Sequence, residues 1–378
     1  MRIGIDTLFL DGRPSSLANF VRELTTHLGQ ATGSDDYVVF ATRRVQRLLS
    51  GLSGPRVQFV TCAVGNEAMI PRILYQQSWL PVLVHRHRID VMCCLADVAP
   101  LAVRVPVVLK VNTLHHYTTP AALGQWRRWY RTAMIRASAR MAAVIVANSR
   151  ANAADIVSYL RVPPERVRLV YEAVDEAFTP REKAAELWDR LSSKFAVSLP
   201  YILFVSALYP YKNVDIAIRA LALLHEQYHW PGSLIVAGAD LFGTQATSQA
   251  LGQRLGIHEK LRFLGPVPQG DLPDLYSGAS VFVYPSASET FGKPVVEAMR
   301  CATPIVASNA GSIPEVAQDA AILVDPSDAP GMAQAIHEVL TDHALRERLV
   351  AAGLRRSRDF SWGTVADGFR AALREATR

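Results

Sequence analysis

The sequence predicts an α/β protein built from two doubly wound domains, each a parallel sheet with helices on both faces. Three observations carry this. The chain has 378 residues, more than one hydrophobic core usually serves. Short β-branched runs alternate with helical stretches, the pattern of βαβ units. Thirteen such runs occur, too many for one ordinary sheet. In the first half strands are expected at Arg2–Asp6, Tyr37–Ala41, Val57–Val60, Val91–Cys94, Val105–Val111, Ala143–Ala147 and Val167–Val170. In the second half they are expected at Tyr201–Val205, Leu234–Gly238, Arg262–Leu264, Val281–Tyr284, Ile305–Ser308 and Ile322–Val324. Between the halves, Glu172 to Pro200 is polar and proline-flanked, which suits a connection with a peripheral helix.

Composition removes several classes. Half the residues are hydrophobic, 20% are charged, and glycine and proline are spread along the chain, so disorder is excluded. No apolar run reaches the roughly eighteen residues of a spanning helix, and Asp6 and Asp11 interrupt the opening segment where a signal peptide needs an apolar stretch. A cytoplasmic protein is expected. Cys62, Cys93, Cys94 and Cys301 form no CxxC pair and have no zinc spacing with histidine, so neither a disulfide framework nor a metal site is expected.

Charge is unevenly divided. Residues 1 to 172 carry 21 Lys and Arg against 11 Asp and Glu, a net of +10, and the remainder carries −4. A basic half suggests an anionic partner such as a membrane surface, a phosphorylated acceptor or nucleic acid. In 125 to 140, Trp126, Trp129 and Tyr130 stand beside Arg127, Arg128 and Arg131, as in an interfacial helix on anionic lipid; rings in a core with arginines in water is the alternative. Nucleic acid is not expected as a partner, since no helix-turn-helix, finger or RNA-binding motif is found.

Ligands of open parallel sheets bind outside the carboxyl ends of the strands, so the residues just after each strand are the candidates. The densest is the segment 284 to 299, YPSASETFGKPVVEAM. A strand ends at Tyr284, a small polar loop follows, and Pro294 has the fixed φ that opens a helix at its first position. The amides of Thr290, Phe291, Gly292 and Lys293 then face an anion at the positive helix terminus, and phosphate is the natural guest. Glu289 and Glu297 lie eight positions apart, so one can face the loop's ligand while the other binds a diol; alternatively Glu289 is solvated and Glu297 complements the helix dipole.

This segment resembles the S-x-E-x-F-G-x-P-x-x-E-A-M signature of family 4 retaining glycosyltransferases, and 303 to 315, TPIVASNAGSIPE, continues the likeness. So do 204 to 213, 146 to 150, 170 to 175, 263 to 267 and 275 to 277. The resemblance implies a GT-B fold, two Rossmann-like doubly wound domains facing across a cleft. It implies an acceptor-binding domain at 1–174 joined by a returning helix at 358–378, and a donor-binding domain at 175–357. It also implies that no divalent metal and no cofactor is needed, and no DxD loop argues otherwise.

Carried over by position, Glu297 would bind the donor ribose, Glu289 and the Phe291–Gly292 backbone the sugar, and Lys212 the diphosphate, with Ser206, Asn213 and Val267 around them. Four features depart from the family pattern. Ala207 and Tyr211 stand where basic residues are usual. Ser15 to Asn19, with Ser16 a candidate acceptor contact, replaces a glycine-rich loop. Asn112 takes the place of a histidine near the donor sugar, with His115 and His116 close behind. The resemblance implies a retaining hexosyltransferase moving a sugar, with GDP-mannose or a GDP-deoxysugar favoured, to a glycan or lipid-linked glycan in surface polysaccharide or lipopolysaccharide assembly, peripheral at the inner face of the cytoplasmic membrane. A sugar-nucleotide 2-epimerase of the same architecture, or a degenerate binding subunit, are the other readings.

Overall fold

The computed structural model describes residues 1–13, 15–30, 34–52, 56–65, 69–114, 125–182 and 185–378, with backbone alone at 125–128. The chain divides into two compact units, Met1–Glu172 with Trp362–Arg378, and Ala173–Ser361.

All thirteen expected strands are present, with ends displaced by no more than two residues. The first unit holds β1 (Arg2–Asp6), β2 (Asp36–Ala41), β3 (Val57–Thr61), β4 (Val91–Cys94), β5 (Val107–Val111), β6 (Val144–Ala147) and β7 (Val167–Leu169). They form one parallel sheet in the order β3-β2-β1-β4-β5-β6-β7. The second holds β8 (Tyr201–Val205), β9 (Ser233–Ala237), β10 (Leu261–Gly265), β11 (Val281–Tyr284), β12 (Ile305–Ser308) and β13 (Ala321–Val324), in the order β10-β9-β8-β11-β12-β13, again all parallel. Central strands such as β4, β5, β6, β8 and β11 are buried at every residue, while the edge strands β3, β7, β10 and β13 are mostly half-exposed. Covered faces explain why the sequence shows continuous apolar runs rather than alternation.

The helix Trp362–Ala376 belongs to the first unit. It buries Trp362, Val365, Phe369 and Leu373 against the helix Ser16–Gln30 and the middle of the sheet. Phe20 is the meeting point, 5.5 Å from Trp362 and 6.1 Å from Phe369 between ring centroids. Arg168 clasps the Glu375 carboxylate through two nitrogens, at 2.8 and 2.5 Å. In the second unit the helix Ala185–Phe195 packs its Leu187 and Leu191 against Leu272–Gly278, so the polar connection carries an amphipathic cover.

Phe369 is fully buried and meets Phe20, which lies near the other end of the sequence. Phe369→Ala is expected to destabilise the first unit by roughly 3–5 kcal/mol, the range for emptying a buried aromatic site. Denaturant unfolding followed by a probe in that unit checks this.

Candidate active site

In the second sheet β8 and β11 are neighbours, and the strand order reverses between them. Such a switch point opens a crevice at the carboxyl ends. Lys212 follows β8 in the short turn Pro210–Lys212, and Glu289 follows β11 in the loop to the next helix. Although 77 positions apart, their side chains form a buried ion pair. The Lys212 ammonium also donates to the Tyr284 hydroxyl at 3.0 Å, and that hydroxyl donates to the same Glu289 Oε1 at 2.7 Å. Burial, then the Glu289 charge, pushes the Tyr284 phenol far above its ordinary range, so it stays a proton donor. The lysine Nζ lies 5.1 and 5.3 Å from the ring centres of Tyr211 and Tyr284. Tyr211 thus supplies an aromatic wall where a second cation was absent.

Backbone geometry holds this cluster in place. Asn213 adopts a left-handed conformation (φ 53°, ψ 42°), and its amide donates to the carbonyls of Pro285 and Pro326, both at 3.1 Å. It therefore ties the Lys212 turn to the loops after β11 and β13. The Ala287 amide donates to Tyr211 O at 2.8 Å, and the Ser312 amide to Glu289 O at 3.1 Å. Gly311 (φ 59°) backs the glutamate so closely that an added Cβ would stand 2.6 Å from Glu289 O.

The helix beyond the loop runs Lys293–Arg300 with Gly292 as its cap (φ 85°, ψ 50°). Pro294 is therefore its second residue, not its first, because the left-handed glycine already turns Lys293 into the helix. Phe291 is buried edge-on against Phe360, 5.5 Å between centroids, so only its backbone is available to a ligand. Thr290 and Lys293 are half-buried beside it. Glu297 stands one turn inside the helix and accepts the Tyr276 hydroxyl at 2.8 Å. Burial raises its carboxyl above the usual range, opposed by the Tyr276 hydroxyl and Lys293. Ser206 follows β8 and donates to Ala207 O at 3.1 Å, and Val267 lies half-buried after β10.

The first unit gathers its candidates less completely. Asn112 follows β5, but its side chain already bridges Lys110 and the Leu95 carbonyl, the latter at 2.9 Å, and its own amide binds Asp97 Oδ1 at 2.6 Å. Arg131 pairs with the other Asp97 oxygen at 2.9 Å, so this guanidinium braces the turn after β4. Ser16 is exposed at the first position of its helix. His115 and His116 lie outside the described residues, as do the side chains of Trp126, Arg127 and Arg128. Sequence reasoning missed a second buried pair, Lys110 with Glu172 at 2.9 Å, in which the ammonium also sits 4.5 Å from the Phe20 ring centre. Among the described residues no group of three or more His, Cys, Asp or Glu is placed to hold a metal ion.

Family models match both units: "Glycosyltransferase Family 4" over residues 17–178 and "Glycosyl transferases group 1" over residues 189–356. Together with the motif they place the chain in family 4 of the glycosyltransferases. An O-antigen chain mannosyltransferase B of Escherichia coli is 32% identical over 67% of this chain and 66% of its own length. A D-inositol 3-phosphate glycosyltransferase of Thermobifida fusca is 34% identical over 61% of this chain and 55% of its own. A serotype-specific mannosyltransferase WbdA of Escherichia coli is 30% identical over 61% of this chain and only 29% of its own. The matches thus span from under a third to just under two thirds of these relatives. Among solved structures, Anabaena HepE in complex with UDP and glucose superposes with a TM-score of 0.75 at 22% identity, over 99% of each chain. WaaG superposes at 0.70 with 14% identity, over 98% of each. These likenesses show the GT-B fold.

Because the folded state holds the Glu297 proton to higher pH than the unfolded chain does, this group favours the unfolded state increasingly as pH rises from the ordinary glutamate range through the raised value. Glu297→Gln is therefore expected to raise Tm at neutral pH and flatten its pH dependence. If the carboxylate grips a diol, the same change weakens nucleotide binding by roughly 1.5–3 kcal/mol. Thermal unfolding from pH 4 to 8, with calorimetry, reads both.

Proposed function

We propose that this chain is a retaining, metal-independent glycosyltransferase that moves a sugar from a nucleoside diphosphate donor to a glycan or lipid-linked glycan in surface polysaccharide assembly. The observation that carries the reading is the Lys212–Glu289–Tyr284 cluster at the switch point of the second sheet, within the family signature. GDP-mannose or a GDP-deoxysugar is the donor favoured, supported by the segment 208 to 213 and by the mannosyltransferase names of two relatives.

In this reading Glu297 holds the ribose, the 290 to 293 backbone faces the phosphates, and Lys212 meets the distal phosphate. As the bond from the anomeric carbon to the phosphate oxygen breaks, its electron pair goes to that oxygen, where the ammonium stabilises the growing charge. The acceptor hydroxyl bonds to the same carbon and gives its proton to the departing phosphate, so no protein nucleophile is required. Asn112, Ser16, His115 and His116 remain the proposed acceptor-side residues. Asn112 would act through a hydroxyl contact beside its internal bonds.

Lys212→Met alone leaves Glu289 buried and unpaired, which costs on the order of 3–5 kcal/mol of stability. Adding Glu289→Gln is expected to restore much of that stability while turnover stays at least about a hundredfold down. Recovery of turnover with stability would show the pair to be structural. Donor incubated without acceptor separates the alternatives: an epimerase converts the sugar with the nucleotide still attached, and a binding subunit leaves it untouched.

The site of work is proposed to be the cytoplasmic leaflet, by peripheral attachment. The exposed apolar surface for this is broader than the Trp126–Arg131 stretch. The helices Met69–Ser78 and Leu80–Arg86 and the residue between them leave Ile70, Leu74, Trp79 and Val82 exposed, near exposed Arg86 and Arg88. Trp129 is also exposed, whereas Arg131 is held by Asp97. No helix among the described residues is long and apolar enough to cross a membrane. Ile70→Glu with Leu74→Glu is expected to release the protein from anionic vesicles in sedimentation. Wild-type attachment should fall as salt shortens the Debye length from about 10 Å at 0.1 M to about 3 Å at 1 M.

A further inference from the structure

At the carboxyl ends of β2 and β3 lies an open hollow of about 440 Å³, lined by Arg43, Arg44, Arg47, Thr61, Cys62 and Val64. Its arginines differ from those of the first unit that are held by a carboxylate. Arg22, Arg131 and Arg168 each have a carboxylate partner. Arg43, Arg44 and Arg47 are exposed, and none has an ion pair with another described residue. Arg47 lies four and three positions after Arg43 and Arg44 on one six-residue helix, so the like charges repel one another and an arriving anion relieves them. The aliphatic stem of Arg44 lies over Gly12, in the loop after β1, where any Cβ would collide with it.

We propose that this hollow binds a phosphate or diphosphate group of the glycosyl acceptor. Guanidinium forks match phosphate oxygens two at a time, and three of them suit a dianion or trianion rather than a neutral sugar. The volume fits a small group, not a macromolecule. The wall adds no competing charge: burial, then Asp6, pushes the Cys62 thiol up to about 12, so it stays neutral. Thr61 contributes a hydroxyl, shared with the Gln46 amide at 3.0 Å. The hollow's wall also touches the helix that carries the exposed Ile70 and Leu74, since the Ala63 amide donates to the Tyr75 hydroxyl at 3.3 Å. A phosphate carried on a lipid would thus find an apolar surface beside its charge. The word acceptor rests on the glycosyltransferase reading; the phosphate chemistry does not.

Hydrogen–deuterium exchange on the full-length protein with inorganic pyrophosphate tests this. Protection is expected in peptides covering 42–47 and 61–65, separate from any protection at 206–213 and 285–293. Replacing Arg43, Arg44 and Arg47 with Gln should abolish the first and leave the second, with apparent affinity at the hollow weaker by about tenfold or more per arginine. Replacement by Lys should retain only part of it, because charge without the fork is kept. Protection confined to the second-unit segments, or none at all, overturns the proposal in the wild-type protein alone. Protection of 42–47 by phosphatidylglycerol vesicles but not by pyrophosphate assigns the hollow to the leaflet and also overturns it. A protein that turns over no nucleotide sugar yet shows this protection loses the transferase reading and keeps the phosphate site; turnover without protection does the reverse.

Discussion

The buried pairing of Lys212 with Glu289 is the interaction on which the second unit's site depends. Removing two charges from water costs several kcal/mol each, so the pair persists only where geometry is tight and further hydrogen bonds are supplied. Tyr284 supplies one on each side, giving its hydroxyl proton to the carboxylate and accepting from the ammonium. The two carriers come from adjacent strands at the reversal of sheet order, and Asn213 and Gly311 fix the loops that present them. In the proposed reaction this makes a poised exchange. An arriving diphosphate offers Lys212 a stronger anion than Glu289, and the freed carboxylate can turn to the sugar hydroxyls.

A related device stabilises the first unit. Lys110 on β5 is buried against Glu172, which Asn148 also approaches at 3.4 Å, and Asn148 in turn accepts from Asn152 at 2.8 Å. Glu172 is the last residue of that unit before the chain enters the second. The pair therefore fixes the exit of the chain relative to its own sheet. Asp97 plays a matching part after β4: a left-handed residue (φ 58°) whose carboxylate takes both the Asn112 amide and Arg131.

Much of this was legible in the amino-acid order. The strands were, because sheets covered on both faces demand unbroken runs such as YILFV and VFVY. Glu289, Gly292 and Glu297 were, because each stands just after a strand or at a helix start, and Lys212 was marked by the resemblance to family 4. Their partners were not. Tyr284 was read only as a strand end, and only the fold brings its hydroxyl and that of Tyr276 to the two glutamates. The internal partners of Asn112 and Arg131 were not legible either: Asp97, 15 and 34 positions away in a turn without a motif, takes the Asn112 backbone amide and the Arg131 guanidinium, and Leu95 and Lys110 take the Asn112 side chain. The hollow beside Arg43 and Arg44 was not, since a recess between two strand ends has no signature in local sequence. The helix start at Pro294 slipped by one residue because a left-handed glycine performs the turn that proline's φ alone suggested.

The central claim, that Lys212 exchanges its glutamate for a diphosphate, is open to direct observation. The chain contains only six lysines, so a spectrum of 15N-lysine side chains can resolve each ammonium, and Lys212→Arg assigns the signal. Titration with a nucleoside diphosphate should move the Lys212 resonance in a saturable way, and Glu289→Gln should shift it in the free protein. A Lys212 signal unmoved by saturating nucleotide, with binding verified by calorimetry, would contradict the account.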